Sequence, residues 1–236
     1  MYFKNIKNTV IDIDGSGNFD KLKNLTAKAK VSNDLINNAG FYQTVEVIDG
    51  ERPDHLSKRL YNTDDYHWTF LLLNPHLKNI WDDWPMKWSQ LIEYCTEKYQ
   101  YLAGDTDDDL NDKFTLGETV TGGVSGAKGI LKEIHVNMGY IVIEKTSGTF
   151  VLTGETIQGA SSSDSVTCGF IKSQAYAPHH HVDDSTGEWV KRRLAGTTPY
   201  TYIDYESAVT EQNRNLKVIK PEHISSVARE FINVMR

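Results

Sequence analysis

Apolar residues change their spacing along the chain and divide it into segments. Residues 1–40 hold scattered apolar side chains around a Gly/Ser/Asn-rich turn, which predicts an extended arm rather than a domain. Aromatic and β-branched residues at 41–48 are typical of a strand. Pro53 suits the first turn of a helix, and a second helix around 66–73 is apolar on nearly all faces, so we expect it to be buried.

An amphipathic helical pattern at 89–101 follows these two helices, so the compact module is predicted to extend over 41–103. The next residues, 105–109, include four aspartates. Closely spaced carboxylates repel one another, and solvation in a linker relieves the repulsion. We therefore predict an acidic linker over 104–113, with a metal site as the alternative.

The segment 114–173 loses the helical period and alternates Gly, Ser and Thr with β-branched residues. It also repeats one motif. Phe114–Gly122 and Phe150–Gly159 both contain Gly-Glu-Thr, then an apolar residue, and then Gly two positions later. Several short strands separated by turns are typical of small all-β folds. The segment therefore predicts an inserted β domain, either a small barrel or a sandwich.

The last part of the chain returns to helical spacing. Residues 174–203 show no clear period and predict an irregular connection. Residues 204–236 predict two C-terminal helices, with Asp204 as the cap of the first and Pro221 at the start of the second. The second helix carries an apolar stripe of Ile224, Val227, Ala228, Phe231, Ile232 and Met235. Helices and strands in separate segments predict an α+β fold.

Composition and charge narrow the classes of function. The net charge of −7 argues against binding along a phosphate backbone, so no nucleic-acid partner is expected. No apolar run approaches the roughly 20 residues that cross a bilayer, and the N-terminus lacks the apolar core of a secretory signal. We therefore expect synthesis in the cytoplasm without a membrane span. Cys95 and Cys168 lie in different segments and are predicted to be buried free thiols.

The segment from Asp12 to Asp20 resembles the start of a calcium-binding EF-hand loop in the positions of its oxygen donors and Gly17. Lys23, however, stands where such a loop needs a bidentate glutamate. A turn held by Asx hydrogen bonds is the better interpretation.

Three adjacent histidines, His179 to His181, precede Asp183 and Asp184 and offer ligands for zinc or nickel. Adjacent residues in a regular element do not converge on one ion, which favours a loop with solvated or hydrogen-bonded histidines. No GxSxG nucleophile elbow occurs in the sequence. We therefore predict no metal, no cofactor and no enzymatic activity.

Three tryptophans fall within eight residues, and a small module is not expected to bury three such large rings completely. Tryptophan is also favoured at protein interfaces. The apolar stripe of the last helix likewise has to dock, on the module or on another chain. The candidate partner interface therefore comprises Trp81, Trp84, Trp88, Val227, Phe231 and Met235.

Two blocks of the sequence resemble a known family. The first runs from Gly50 to Asn62 and from Asp65 to Asn74, and it resembles a LysM module, a βααβ unit with a turn before its first helix and Asn after its second. The second block includes 205–214 and 216–220 and continues into the last helix. In this order the blocks are similar to the LysM-bearing baseplate wedge subunits of T4-like contractile-tailed phages, the gene fifty-three product family.

The two blocks cover a little under half of the chain, and 114–173 looks like an insertion relative to the shortest family members. Its Gly-Glu-Thr-Val-Thr-Gly module resembles modules in phages of cyanobacteria. The resemblance implies a virion protein of the tail baseplate that joins neighbouring wedges around the central hub, without catalysis. Its implied partners are other baseplate wedge proteins, including copies in adjacent wedges of a six-fold assembly.

LysM modules elsewhere bind polymers of N-acetylglucosamine. The alternative function is therefore a peptidoglycan-binding module with an accessory β domain. In the wedge family the module is turned to protein contacts, so peptidoglycan is not the expected ligand.

Overall fold

The computed structural model describes residues 7–13, 15–24, 40–80 and 82–235. The chain divides into two compact units. The first unit takes residues 1–87 and 210–236, and the second takes 88–209. The chain therefore leaves the first unit, builds the whole second unit, and then returns to complete the first.

The regular elements are numbered in chain order, and two short 3-10 turns lie at Val136–Met138 and Gln174–Tyr176. The helices are α1 (Pro53–Tyr61), α2 (Trp68–Leu73), α3 (Trp88–Lys98), α4 (Tyr202–Asn213) and α5 (Pro221–Met235). The strands are β1 (Asn8–Ile11), β2 (Asp20–Lys23), β3 (Tyr42–Glu46), β4 (Leu102–Thr106), β5 (Thr119–Gly122), β6 (Lys128–His135), β7 (Tyr140–Ser147), β8 (Thr153–Gly159), β9 (Ser165–Ser173), β10 (Pro178–Asp183), β11 (Trp189–Val190), β12 (Thr197–Thr201) and β13 (Asn215–Ile219).

The first unit is built around an antiparallel pair of strands, β3 and β13, which lie far apart in the sequence. Helix α1 begins at Pro53, as predicted, and ends at Tyr61. The next residue, Asn62, has a left-handed backbone conformation and caps the helix by donating its N–H to the carbonyl of Lys58. The two strands and helices α1 and α2 enclose an apolar core of Val47, Leu56, Phe70, Leu77, Trp84, Leu216 and Val218. Chain order gives this unit the arrangement strand, helix, helix, strand.

The module was predicted to span 41–103, and the structure assigns its parts differently. Helix α3 falls in the second unit, and the strand that pairs with β3 comes from residues 215–219. Strand β3 pairs with this distant segment because it has no partner strand among residues 47–103 of the described chain. Its backbone N–H and C=O groups need a partner strand for their hydrogen bonds.

The second unit is dominated by a closed barrel of six antiparallel strands in the order β4, β7, β6, β5, β8 and β9. Its interior is filled by apolar side chains, among them Val120, Leu131, Ile141, Ile143, Ile157, Val166 and Cys168. The predicted α+β class with a small inserted barrel is therefore confirmed, and the sandwich alternative is not adopted. Closure leaves the barrel without an open strand edge.

The acidic run at 104–113 is structured, contrary to the predicted linker. Asp105 lies in β4, and its carboxylate accepts the N–H of Phe170 at 2.7 Å. Asp108 accepts the N–H of Thr167 at 2.8 Å. These carboxylates avoid mutual repulsion because two of them accept backbone N–H groups of the neighbouring strand β9.

Residues 174–203, predicted to be irregular, contain a three-stranded sheet in the order β11, β10, β12. The helix after it begins with a reciprocal cap. The carboxylate of Asp204 accepts the N–H of Thr201 at 2.9 Å, and the hydroxyl of Thr201 accepts the N–H of Asp204 at 3.2 Å. Asp204 thus takes part in capping α4, with Thr201 as its partner. Across the described residues, no helix has the length and apolar character needed to span a membrane.

Candidate functional site

The predicted tryptophan cluster divides between core and surface. Trp84 is 8% exposed, packs near Phe70, and donates its indole N–H to the carbonyl of Glu51 at 2.7 Å. Trp88 is 61% exposed. Trp81 lies outside the described residues. Trp88 is therefore the described tryptophan of this cluster that stays available to a partner, whereas Trp84 is used within the fold.

The apolar stripe of α5 docks on its own unit. Phe231 is buried, with its ring centroid 4.3 Å from that of Trp68. Val227 packs against the cluster of Leu73, Ile219 and Ile224. The side chain of Met235 lies outside the described part of the chain. The stripe was predicted to dock either on a partner chain or on the module, and Phe231 and Val227 dock on the module.

Asn74, which ends α2, clamps strand β13. Its amide group donates to the carbonyls of Phe70 at 2.8 Å and Lys217 at 2.9 Å, and its oxygen accepts the N–H of Lys217 at 3.0 Å. Asn74 is buried, and both ends of its amide are occupied by backbone. The side chain therefore holds the βααβ unit closed and offers no hydrogen-bonding group to a ligand.

A cleft of about 500 Å³ lies beside the end of β3. It is lined by Glu46, Val47, Ile48, Asp49, Glu211 and Arg214. Arg214 donates twice to the carboxylate of Glu211, at 2.8 and 2.9 Å, and once to the carbonyl of Val47 at 3.2 Å. The guanidinium is therefore already committed, and the other charged lining residues are acidic, so the cleft does not suit an anionic ligand.

The three histidines lie on strand β10 and are at least partly buried, which differs from the predicted loop. The ring of His180 stacks between Trp189, at 4.1 Å, and Tyr200, at 4.7 Å. His180 Nε2 and His181 Nδ1 have no hydrogen-bond partner in the described structure. Burial lowers the pKa of all three histidines, and neighbouring positive or titratable groups lower it further for His180 and His181. The described residues contain no group of three or more side chains placed to hold a metal ion.

Both cysteines are buried free thiols, as predicted. Burial raises the pKa of Cys95 to about 11 and that of Cys168 to about 12. A nucleophilic cysteine needs a lowered pKa and access to substrate, so neither thiol is activated at neutral pH.

The turn predicted between residues 12 and 20, held by Asx hydrogen bonds, is present. The carboxylate of Asp12 accepts the N–H groups of Gly15 and Gly17 at 2.8 and 2.9 Å.

The glutamate of each Gly-Glu-Thr motif accepts hydrogen bonds from a loop of the barrel, and we call each such set of hydrogen bonds a lock. Glu155, in the second repeat, accepts N–H groups from Val124 and Ser125 in the loop that follows the first repeat. Glu118, in the first repeat, accepts N–H and hydroxyl groups from Ser161 and Ser162 in the loop that follows the second. Each repeat therefore fixes the loop of the other.

Room for these locks comes from the glycine that ends each motif. A Cβ at Gly122 would lie 2.9 Å from the carboxyl carbon of Glu155, and one at Gly159 would lie 2.6 Å from an oxygen of Glu118. Burial opposes ionisation of Glu118, but its hydrogen bonds outweigh this and lower its pKa to about 2. The locks are therefore charged at neutral pH and depend on glycine at both positions.

Four large apolar residues linked to the Glu155 lock by backbone hydrogen bonds have exposed side chains, and we call this set the barrel patch: Val124, Val151, Leu152 and Phe170. Glu155 gathers two of these residues, because its two oxygens accept the N–H groups of Val124 and Val151. Leu152 accepts the N–H of Ile171, which adjoins Phe170. Leu152 is 70% exposed and Phe170 is 56% exposed, so the patch is open to a partner.

A second exposed apolar surface lies on the hairpin formed by β1 and β2. These strands pair only with each other among the described elements. Their large apolar side chains are exposed: Val10, Ile11, Ile13, Phe19 and Leu22. The sequence analysis identified the scattered apolar residues of this arm, but it did not predict that they lie on one hairpin.

No family model matches the chain, and no curated protein matches it.

Proposed function

We propose that this chain is a structural subunit of a contractile-tail baseplate wedge, which joins neighbouring wedges around the central hub. Its implied place is the virion, and its implied partners are other wedge proteins. The sequence blocks around 50–74 and 205–220 support this assignment through their resemblance to the wedge family.

The observation that carries the proposal is the β1–β2 hairpin. A two-stranded hairpin is marginally stable alone in water and usually needs a third strand or an apolar support. Here the hairpin has no further strand in the described chain and exposes five large apolar side chains. Such an arm gains stability when another chain covers it, which is the behaviour expected of an assembly subunit.

We further propose that β3, α1, α2 and β13 form a LysM-like module whose last strand follows the inserted second unit. The order of elements and the antiparallel pairing of the two strands support this assignment. The use of Asn74 to hold β13 supports protein contacts over glycan binding, because its polar atoms are occupied within the fold.

A tagged copy of the chain, expressed during infection by the phage that encodes it, tests the proposal. Proteins that co-purify with it are identified by mass spectrometry. We expect baseplate wedge proteins to co-purify in amounts close to that of the tagged chain. Their amounts should fall with the variant Leu22→Glu, which puts a charge on the hairpin. Recovery of the chain alone, from infected cells that are assembling tails, would contradict the proposal.

Sedimentation with purified murein separates this role from the alternative function. A wedge subunit is expected to stay in the supernatant. Binding to murein that competes with chitin oligomers would instead support a peptidoglycan-binding module.

A further inference from the structure

A β-bulge in strand β10 brings two adjacent imidazole rings together. The pairing with β12 skips His179, since Pro178 and His180 lie opposite consecutive residues of that strand. Adjacent residues of a regular strand point to opposite faces, whereas a bulge re-aims a side chain. The Nδ1 atoms of His179 and His180 lie 2.9 Å apart, which is a hydrogen-bond distance.

The hydrogen bond between these two rings holds a single proton. One Nδ1 atom donates and the other accepts, because an imidazole nitrogen cannot do both at once. If both rings were protonated, each Nδ1 would carry a hydrogen, and the two N–H groups would point at each other. The folded arrangement therefore excludes the state in which His179 and His180 are both charged.

His180 is poorly placed to take up a proton at its other nitrogen. It is 1% exposed, and its Nε2 atom has no hydrogen-bond partner in the described structure. The rings of Trp189 and Tyr200 lie against it, with centroids 4.1 and 4.7 Å away. Aromatic faces attract a cation, but they do not replace the acceptor that a buried N–H requires.

The acidic side chain nearest to balancing a charged His179 is already engaged. Burial lowers the pKa of His179, and the charge of Glu206 on α4 opposes this shift. The Glu206 carboxylate, however, accepts from Lys98 Nζ at 2.8 Å and from the Tyr99 hydroxyl at 2.6 Å. Further titratable side chains in ring contact with the pair are tyrosines: Tyr200 on β12, and Tyr202 and Tyr205 on α4.

Histidine and basic neighbours oppose protonation of the pair. Burial lowers the pKa of His180, and His179 and His181 lower it further. Burial also lowers the pKa of His181, with a further contribution from Arg193, and Lys191 adds to the lowering at His179. The open chain therefore binds more protons than the folded chain below the ordinary histidine pKa of about 6.5. Stability is complete above that pH and is lost as the pH falls.

Strand β11 is supported by this pair through Trp189. The strand has two residues, Trp189 and Val190, and it pairs only with β10 among the described strands. The indole of Trp189 is 64% exposed and stacks on the ring of His180. Movement of His180 away from His179 therefore weakens the support of β11.

We propose that His179 and His180 form an acid-sensitive latch, which keeps β11 on β10 near neutral pH and releases it when both rings take up protons. The released segment is the hairpin of residues 183–190, whereas the barrel keeps its six paired strands. The latch goes beyond the proposed wedge role and does not depend on it.

Hydrogen exchange of the full chain, measured by mass spectrometry from about pH 8 to about pH 5, tests the latch. Protection factors correct for the intrinsic pH dependence of exchange. Uptake of two protons on opening raises the opening constant by up to about a hundredfold per pH unit below about 6.5. We expect protection of residues 183–190 to fall in this range while β6 and β7 stay protected. Unchanged protection of 183–190, or equal loss in the barrel, would overturn the proposal.

His179→Gln distinguishes the latch from burial of a single histidine. The amide oxygen of glutamine can accept the Nδ1–H of His180, so a protonated His180 no longer faces a second N–H. With one titrating ring fewer, the fall in protection should be about tenfold less steep per pH unit and should begin at a lower pH. Identical profiles for His179→Gln and wild type would show that the pair is not the latch.

His135→Gln supplies the matched control. The ring of His135 on β6 stacks on Tyr140 at 4.3 Å, but its Nε2 atom already has a partner, the carboxylate of Glu133 at 2.7 Å. This substitution should leave the profile of residues 183–190 unchanged, and a shift equal to that of His179→Gln would contradict a specific pair. Thermal melts at neutral pH establish that each variant remains folded.

Nitrogen NMR of the histidine rings in the wild-type chain gives a second measurement that needs no variant. Rings that share a proton titrate as a pair, and the second proton should arrive together with the loss of protection at 183–190. Independent titration of His179 and His180 in a chain that stays closed would overturn the proposal. Failure of these tests leaves the co-purification test of the wedge role unaffected.

Discussion

Glu155→Gln should destabilise the barrel although it preserves the size and shape of the side chain. Glu155 is 0% exposed, and its carboxylate accepts three backbone N–H groups. These come from Val124 at 2.8 Å, Val151 at 2.9 Å and Ser125 at 3.3 Å. Glutamine keeps one acceptor oxygen and turns the other into an NH₂ group that faces N–H donors.

The expected magnitude follows from these contacts. In the better orientation, the glutamine oxygen keeps the bonds from Val124 and Ser125 and leaves the N–H of Val151 unpaired, at a cost of about 1–3 kcal/mol. The two retained bonds lose their charged acceptor, which costs about 1 kcal/mol each. A neutral amide is cheaper to bury than a carboxylate, which offsets part of this loss. We expect a net loss of about 2–4 kcal/mol.

Urea unfolding gives the free energy, and hydrogen exchange by mass spectrometry locates the change. Faster exchange should be confined at first to the loops around 124–125 and 150–152. The matched control is Glu144→Gln on the outer face of the same barrel. Glu144 pairs with Lys132 at 2.7 Å, and surface ion pairs of this kind contribute about 0–1 kcal/mol. If Glu155→Gln is no more destabilising than Glu144→Gln, the lock does not hold the barrel.

Three further predictions concern side chains that are buried or exposed within each unit. Phe231→Ala should lower the free energy of unfolding by about 2–4 kcal/mol, because the ring is buried on its own unit. Trp88→Ala, at an exposed side chain, should change it by less than about 0.5 kcal/mol. Thermal unfolding of both variants measures the difference. Asn74→Ala should cost about 2–3 kcal/mol in urea unfolding by leaving the N–H of Lys217 unpaired, and no loss would contradict the clamp. The lowered pKa of the β10 histidines means that the unfolded chain binds more protons below about pH 6.5. Stability should therefore fall as the pH drops through this range, and His180→Phe should flatten the dependence of melting temperature on pH.

Local signals in the sequence predicted the elements whose cause is local. Pro53 marks the start of α1, and the short strands separated by turns in 114–173 predicted a small barrel or a sandwich, of which the structure has the barrel. The pairing of β3 with β13 could not be predicted in this way. Paired residues such as Tyr42 and Ile219 lie on either side of the whole second unit in the sequence, and no local pattern encodes their register.

The barrel patch was missed for a similar physical reason. Alternation along β9 buries Val166 and Cys168, and its continuation would also bury Phe170. The register shifts where β9 pairs with Asp105 and Thr106, so Phe170 faces outward and Ile171 takes the interior position. The tryptophan spacing likewise gave no means of separating Trp84, in the core, from Trp88, on the surface.

The proposed wedge role, which implies a contractile-tailed phage as the source of the chain, is tested most directly by cryo-electron microscopy of tails purified from that phage. A wedge subunit should appear in the baseplate as a repeated density that fits the closed barrel and the βααβ unit, in contact with neighbouring wedges. Complete baseplates that contain no density for either unit would contradict a structural role in the wedge.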